Sequence, residues 1–321
     1  MGLVIAMQAS ILLLTYNQEL YVKEALLSLL EQDYNPLEII VSDDCSTDGT
    51  WLLINEITQN YRGPKCIVLN QNTSNLGIVR NYFKAFELSK GEVIFTAAGD
   101  DVSLPNRCSA CIQMWKQTNQ EVDLVAADGY DMLENGVVVG VKVTDALKLW
   151  TLEKWAVSRP YIFGASHMMT RRLVGLRSLS PLLPFEDQCL VARALMMGGA
   201  IRCPVALVKH RRGGVSQVKN RWSHEKKKKR LILSAQQGLI ECEEISLDAH
   251  LLGISISSLL KTEQRTNEFA LRALQTRKYF ELIGLVIEYR DVQFKKKFKF
   301  LSYVLFKPLY QFLFFVKSMK G

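Results

Sequence analysis

Two pairs of adjacent carboxylates stand out where apolar runs end. Asp100 and Asp101 close the stretch "VIFTAAGDD", and Asp43 and Asp44 close "LEIIVSDD". Neighbouring carboxylates in a shielded place repel each other unless a cation sits between them or water screens both. The small and apolar residues before Asp100 imply shielding, so something positive is expected to bind there. Other chemistries are weaker. Cys108 and Cys111 have CxxC spacing, but there is no second CxxC and no nearby histidine, so zinc lacks ligands and ordinary packing is expected. No P-loop occurs, and four scattered histidines define no Ser-His-Asp arrangement.

Elements must hold these carboxylates in place. Ser10 to Leu14 predicts a first core strand, and "QELYVKEALLSLLEQ" repeats Val22, Ala25, Leu26, Leu29 and Leu30 at helical spacing. The strand "LEIIVSD" is followed by a Ser-Thr-Asp-Gly turn in which Ser46 and Asp48 serve as turn and cap residues for a helix from near Thr50. "CIVLN" leads to "IVRNYFKAFELSKG", with Val79, Tyr82, Phe83 and Phe86 on one face and Gly91 as the expected terminator. Val93 to Ala97 is the next strand. This alternation predicts a doubly wound parallel sheet, with both acidic pairs in the crevice beyond its strand ends, where open α/β sheets bind ligands.

After Asp101 the rhythm changes. Ser103 and Pro105 read as start signals for a helix over about Asn106 to Gln117. "VDLVAADGYDM", an Asn135-Gly136 turn and "VVVGVKV" predict a hairpin, which makes the sheet mixed. "GASHMMTRRL" reads as a strand, "FEDQCLVARALMMGG" as a capped helix and "AIRCPVALVKH" as a strand.

The ordered set "SILLLTYNQELYVKEALLSLLEQDYNPLEIIVSDDCSTDGT", "NLGIVRN", "GEVIFTAAGDD" and "FEDQCLVARAL" resembles glycosyltransferase family 2, the inverting sugar transferases of bacterial surface-polysaccharide type, over roughly residues 10 to 216. The resemblance implies an α/β GT-A (Rossmann-like) mixed sheet flanked by helices. It also implies a nucleotide-diphosphate sugar donor, UDP-sugar first, and a saccharide acceptor, a lipid-linked polysaccharide intermediate. Asp100 and Asp101 resemble the family's metal site, with Gly99 in place of the common leading acid. Asp101 is then the ligand to Mg²⁺ or Mn²⁺ and Asp100 serves the ribose or the metal's water shell, since hard oxygens with substrate phosphates suit those ions. Thr15, Tyr16, Asn17, Asp43 and Asp44 correspond to the nucleotide pocket, with Asp44 accepting from the base and Asp43 as support. Arg80 either reaches a donor phosphate or is an exposed helical arginine. An inverting transfer needs a base opposite the leaving diphosphate; Asp187 matches it, and Glu186 binds the acceptor or positions the base. First-turn carboxylates complementing a helix dipole are the plainer alternative. In "HRRGGVSQ", His210, Arg211 and Arg212 are expected near the diphosphate, with Gly213 and Gly214 allowing movement. The residues choosing sugar and acceptor are expected after Asp101 and around Gly164 to His167.

At 321 residues, the chain suits a GT-A catalytic domain over 1–221, with a nucleotide-sugar half to about 101 and an acceptor half from about 102, plus a basic, mostly helical region over 222–321. A net charge of +8 favours anionic partners. Seven cysteines without a regular framework argue for a reducing, cytoplasmic compartment, and the apolar start lacks the charged opening of a signal peptide. In the tail, Phe300 to Phe306 and Leu309 to Val316 are each too short to span a bilayer. With lysines at 295, 296, 297, 299, 307 and 317 they suggest an interfacial anchor on an anionic membrane, on the inner face; a packed C-terminal helix is the alternative. No nucleic-acid partner is expected, although a noncatalytic basic binder on a degenerate transferase fold is the rival class.

Overall fold

The computed structural model describes residues 7–212, 224–276 and 278–305. Packing divides the chain into two compact units, Met1–Val218 and Lys219–Gly321. The first contains the strands β1 (Ala9–Thr15), β2 (Leu37–Asp43), β3 (Cys66–Gln71), β4 (Val93–Ala98), β5 (Val102–Ser103), β6 (Leu124–Met132), β7 (Val138–Lys142), β8 (His167–Thr170) and β9 (Ala200–Arg211). Its helices are α1 (Val22–Leu30), α2 (Thr50–Asn60), α3 (Ile78–Leu88), α4 (Arg107–Lys116), α5 (Leu152–Val157), α6 (Arg171–Val174) and α7 (Asp187–Met196).

The strands form one mixed sheet in the order β3-β2-β1-β4-β8-β6-β9-β5, with β7 paired to β6. β3, β2, β1 and β4 run parallel, and β8 is antiparallel to both β4 and β6. Helices cover both faces of such a parallel part, which is why Ile11, Leu12 and Leu13 of β1 and Ile39, Ile40 and Val41 of β2 are all buried and read as unbroken apolar runs. The chain steps from β1 outward to β2 and β3, then returns to β4 on the other side of β1. That reversal opens a crevice at the carboxyl ends of β1 and β4. Register aligns its walls: Thr15 lies opposite Asp43, and Leu14 opposite Ala98.

Two local expectations change. Gly91 does not end a helix, because α3 stops at Leu88 and Ser89 is already extended. Its amide instead donates to Ser10 Oγ (2.8 Å) and to the Glu38 carboxylate (3.1 Å), closing a polar knot at the amino ends of β1, β2 and β4. Ser103 is no cap either; it pairs in β5 against β9 and accepts from Arg107 Nη1 at 3.0 Å, while Asn106 takes the cap position. All seven cysteines are free, and Cys108 and Cys111 are buried in α4, as packing requires.

The second unit contains α8 (His224–Leu251), α9 (Ser257–Gln275), α10 (Tyr279–Glu288) and α11 (Phe294–Leu305). Its core gathers Ala235, Phe269, Ala273, Leu282, Leu285 and Tyr289. Phe300 and Tyr303 belong to this core, and the buried Lys297 donates to the Tyr289 carbonyl at 3.0 Å. The expected anchor is therefore corrected at its start: these side chains are spent inside the unit. Residues 306–316, the rest of that anchor, lie outside the described residues. Among the described residues no helix is long and apolar enough to cross a membrane.

A Cβ on Gly91 would lie 2.5 Å from Ser10 N and Oγ and 2.6 Å from the Ala9 carbonyl carbon, and backbone cannot yield there as a flexible side chain would. Gly91→Ala is expected to lower unfolding free energy by about 1–3 kcal/mol in a urea titration, the range for overpacking. An unchanged midpoint would show that the knot has slack.

Candidate active site

The crevice deepens into a cavity of about 370 Å³. It brings together Thr15, Tyr16, Asp44, Asp100, Asp101, Glu186, Asp187, His210 and Arg211 from separate parts of the chain. Asn17, Asp43, Arg80 and Arg212 do not line it.

On the β2 side the acids organise loops. Asp43 is fully buried and accepts from Thr15 Oγ1 (2.9 Å), Ser46 N (2.9 Å) and Ser46 Oγ (2.5 Å). Asp44 lines the cavity while its oxygens accept from Leu76 N (2.8 Å), Gly77 N (2.9 Å) and Asn72 Nδ2 (2.9 Å), so the turn into α3 is folded around it. Asn17, at φ 50°, accepts at its side-chain oxygen from Thr47 N and donates its backbone N–H to Ser46 Oγ, which ties the β1 loop to the β2 loop. Asp48 holds the turn before α2, accepting from Thr50 N at 3.0 Å, while Gly49 takes the cap position. Arg80 is exposed on α3.

Asp100 and Asp101 follow β4 at the cavity floor. Burial and the repulsion of Asp101 push the Asp100 carboxyl up to about 6; burial also raises Asp101 to about 6, against the pull of the Arg211 amide and of Lys142, Arg107 and Arg211. Gln18 fills the space in front of Gly99 and offers its amide to Asp100. The Arg211 backbone N–H donates to Asp101 Oδ1 (2.8 Å), but its guanidinium turns away, donating to the carbonyls of Asp100 (2.9 Å) and Glu134 (2.9 Å) and to Glu24 (2.7 Å), and stacking on Tyr21. Arg212 is held by the Asp131 carboxylate on the surface. The expected three-residue basic cluster is therefore split: only His210 faces the acids with its side chain free of such anchoring, and the Lys142 ammonium donates to its Nδ1 (2.6 Å). Burial, then Lys142, lowers the His210 imidazole below its ordinary value. Gly213 and Gly214 lie outside the described residues.

Across the cavity, α7 begins with Glu186 at its cap and Asp187 in its first turn. Glu186 is 4 % exposed, and its Oε2 has no hydrogen-bond partner among the described residues. Burial, and then the neighbouring Asp187, lifts Glu186 to about 8, whereas burial lifts Asp187 only to about 6. Burial and mutual proximity thus hold the pair back from carrying two charges, Glu186 being pushed the further toward its neutral form. The backbone at Gly164 presses against the Asp187 carboxylate and leaves no room for a side chain.

Several cavity residues escape the sequence argument. Gln18 follows Asn17 in a loop and carries no periodic signal; Ile78 and Phe185 are exposed apolar side chains at the rim. Arg107 is fully buried behind Asp101, donating to Thr96 O (2.7 Å) and Ser103 Oγ (3.0 Å). Of the segment Gly164 to His167, the first residues line the cavity but His167 is buried in β8, where burial and Arg107 lower its imidazole to about 3.

Residues 10–166 match the family described as Glycosyl transferase family 2. Over 124 residues the chain is 32 % identical to "Abequosyltransferase RfbV" of Salmonella typhimurium, covering 37 % of this chain and 36 % of that protein. Over 97 residues it is 38 % identical to "Poly(ribitol-phosphate) beta-N-acetylglucosaminyltransferase TarS" of Staphylococcus aureus, covering 30 % of this chain and 16 % of that one. The matched segment thus spans about a third or less of the length of these curated relatives. In three dimensions, S. aureus TarS 1-349 in complex with UDP-GlcNAc superposes at a TM-score of 0.54 and 20 % identity, covering 90 % of this chain and 83 % of that one. The mannosyltransferase PcManGT from Pyrobaculum calidifontis, in complex with GDP-Man and Mn²⁺, gives 0.54 at 16 % identity, covering 96 % and 88 %. These likenesses establish the GT-A fold. The mixed sheet, the acidic crevice at its strand ends and the match over residues 10–166 together mark that segment as a glycosyl transferase family 2 domain.

Proposed function

We propose that the chain transfers a sugar, with inversion, from a nucleotide-diphosphate sugar, a UDP-sugar first, to a saccharide acceptor that is a lipid-linked bacterial polysaccharide intermediate at the inner membrane face. The observation carrying this reading is the meeting of two unlike acid pairs, Asp100–Asp101 and Glu186–Asp187, in one cavity. The UDP-GlcNAc and GDP-Man complexes of the structural neighbours support a nucleotide-sugar donor. The name of one relative, a poly(ribitol-phosphate) beta-N-acetylglucosaminyltransferase, supports a polymer acceptor.

Among the described residues no three metal-ligating side chains converge, so a metal here depends on the donor's phosphates to complete its shell. Asp100 and Asp101 fit that demand, being hard oxygen donors whose charge is raised in energy by burial. Mg²⁺ or Mn²⁺ held by them would neutralise charge growing on the departing diphosphate. Thr15, Tyr16 and Asp44 border the space for the nucleoside, and His210 borders the diphosphate side. Asp187, the more readily ionised of the pair, takes the proton from the attacking acceptor hydroxyl. Glu186, pushed further toward its neutral form, adds no second negative charge beside it and offers an O–H to the acceptor.

Asp101→Asn should weaken UDP-sugar binding measured calorimetrically with Mn²⁺ but hardly change it in chelator; equal loss in both would remove Asp101 from the metal. Asp187→Asn should leave donor affinity near normal and cut turnover by roughly a hundred- to ten-thousandfold. The parent's turnover should rise with pH through about 6 as Asp187 ionises, and the variant should lose that limb. Undiminished turnover in Asp187→Asn would move the base elsewhere.

Glu186 also makes a stability prediction. Its folded value of about 8 exceeds the unfolded 4.5, so the folded chain holds this proton more tightly. The contribution is complete below pH 4.5 and is lost as pH rises through 8, at up to about 1.4 kcal/mol per pH unit. Glu186→Gln should flatten the stability profile between these limits and exceed the parent in stability above pH 8. Parallel profiles for the two proteins would show that Glu186 ionises freely in the fold.

A further inference from the structure

The second unit leaves an apolar face uncovered. On α10, Phe280 is 88 % exposed, with Ile283 and Ile287 beside it on the same side, while Leu282, Leu285 and the following Tyr289 fill the core. On α11, Phe294 is 73 % and Phe298 54 % exposed, their rings 6.1 Å apart. At 3.6 residues per turn, Phe294, Phe298 and Leu305 fall within about 40° of one another, and Lys295 and Lys299 lie about 100° round from the two phenylalanines. Single exposed apolar side chains are ordinary, but a cluster of them on each of two consecutive helices marks an interaction surface.

Charge decides its partner. The acids near the patch are already neutralised: Glu281 pairs with Lys278 (3.6 Å), Glu288 with Arg272, and Asp291 with Arg265 (3.1 Å). Lys296 pairs with Glu263 (3.8 Å) and Lys297 is buried, but Lys295 and Lys299 are exposed and make no ion pair among the described residues. Aromatic side chains flanked by unpaired lysines match an anionic lipid surface, the rings entering the headgroup boundary and the ammoniums meeting phosphates. A protein groove would match the apolar residues but leave those lysines unanswered.

We infer that α10 and α11 dock the chain on an anionic lipid bilayer, with Phe280, Ile283, Ile287, Phe294 and Phe298 inserting and Lys295 and Lys299 contacting the headgroups. This moves membrane contact from Phe300 and Tyr303, which are core, to the opposite side of α11 and adds α10. It stands independently of the chemistry in the cavity of the first unit.

The test is co-sedimentation of the full chain with vesicles of phosphatidylcholine alone or mixed with phosphatidylglycerol, without any sugar donor. Binding is expected on the anionic vesicles. Replacing Lys295→Gln and Lys299→Gln together should weaken it by about fivefold per lysine at low salt and little at high salt. Phe294→Ser with Phe298→Ser, and separately Phe280→Ser with Ile287→Ser, should weaken it by about tenfold or more at every salt concentration. Because these side chains are exposed, unchanged thermal midpoints are expected to accompany the loss. The inference is overturned if the parent ignores anionic vesicles at low salt, or if it binds and none of the variants differs from it. It is also overturned if ultracentrifugation shows a dimer that the phenylalanine variants abolish, which would give the face to a second copy.

Discussion

Asp100 and Asp101 stand side by side at the end of β4, largely withdrawn from water, and the surrounding elements bear on how that charge is carried. Burial, joined at Asp100 by the repulsion of Asp101, displaces both carboxyls toward their neutral forms. The fold answers from behind. Arg107 lies buried between β4, β5 and β8, Lys142 reaches in from the β6–β7 hairpin, and the Arg211 amide closes on Asp101. On the cavity side the compensation is incomplete, and this residue of negative potential is what a cation with bound phosphates can satisfy.

The second acidic pair has the opposite design. Glu186 and Asp187 both line the cavity, yet Glu186 is displaced further, since it is buried and also bears the repulsion of Asp187. Two neighbouring acids thereby resist carrying two charges at once, which lets a single helix start present both a hydrogen-bond acceptor and a donor. Asp43 and Asp44 form a third arrangement: their lone pairs are filled by backbone and side-chain N–H and O–H groups of three loops. Similar dipeptides thus do different work according to how many donors surround them.

Much of this was legible from residue order. The central strands announce themselves because both of their faces are covered, and acids directly after such strands must lie in the crevice where strands end. What stayed hidden depended on distant partners. Nothing near Arg211 tells that its guanidinium is consumed by carbonyls of Asp100 and Glu134 and by Glu24; a basic cluster beside glycines looks the same whether it faces phosphate or scaffold. Arg107 reads as an ordinary helical arginine, and Gly91 as a helix stop, because burial and close approach are set by other strands. In α11, basic and aromatic residues alternate so densely that composition alone assigns no inner face, and only two residues, about 200° of helical turn, separate the core Phe300 from the exposed Phe298.

The space in front of Gly99 links two positions that are far apart in the order of residues. A Cβ there would run into the Gln18 amide and come within 2.9 Å of Thr15 Cγ2. The room in front of Gly99 is taken by the long polar side chain at residue 18, which hydrogen-bonds to Asp100. The two positions are thus coupled: a side chain at 99 must displace the flexible end of Gln18, and with it the support that Asp100 draws from that amide.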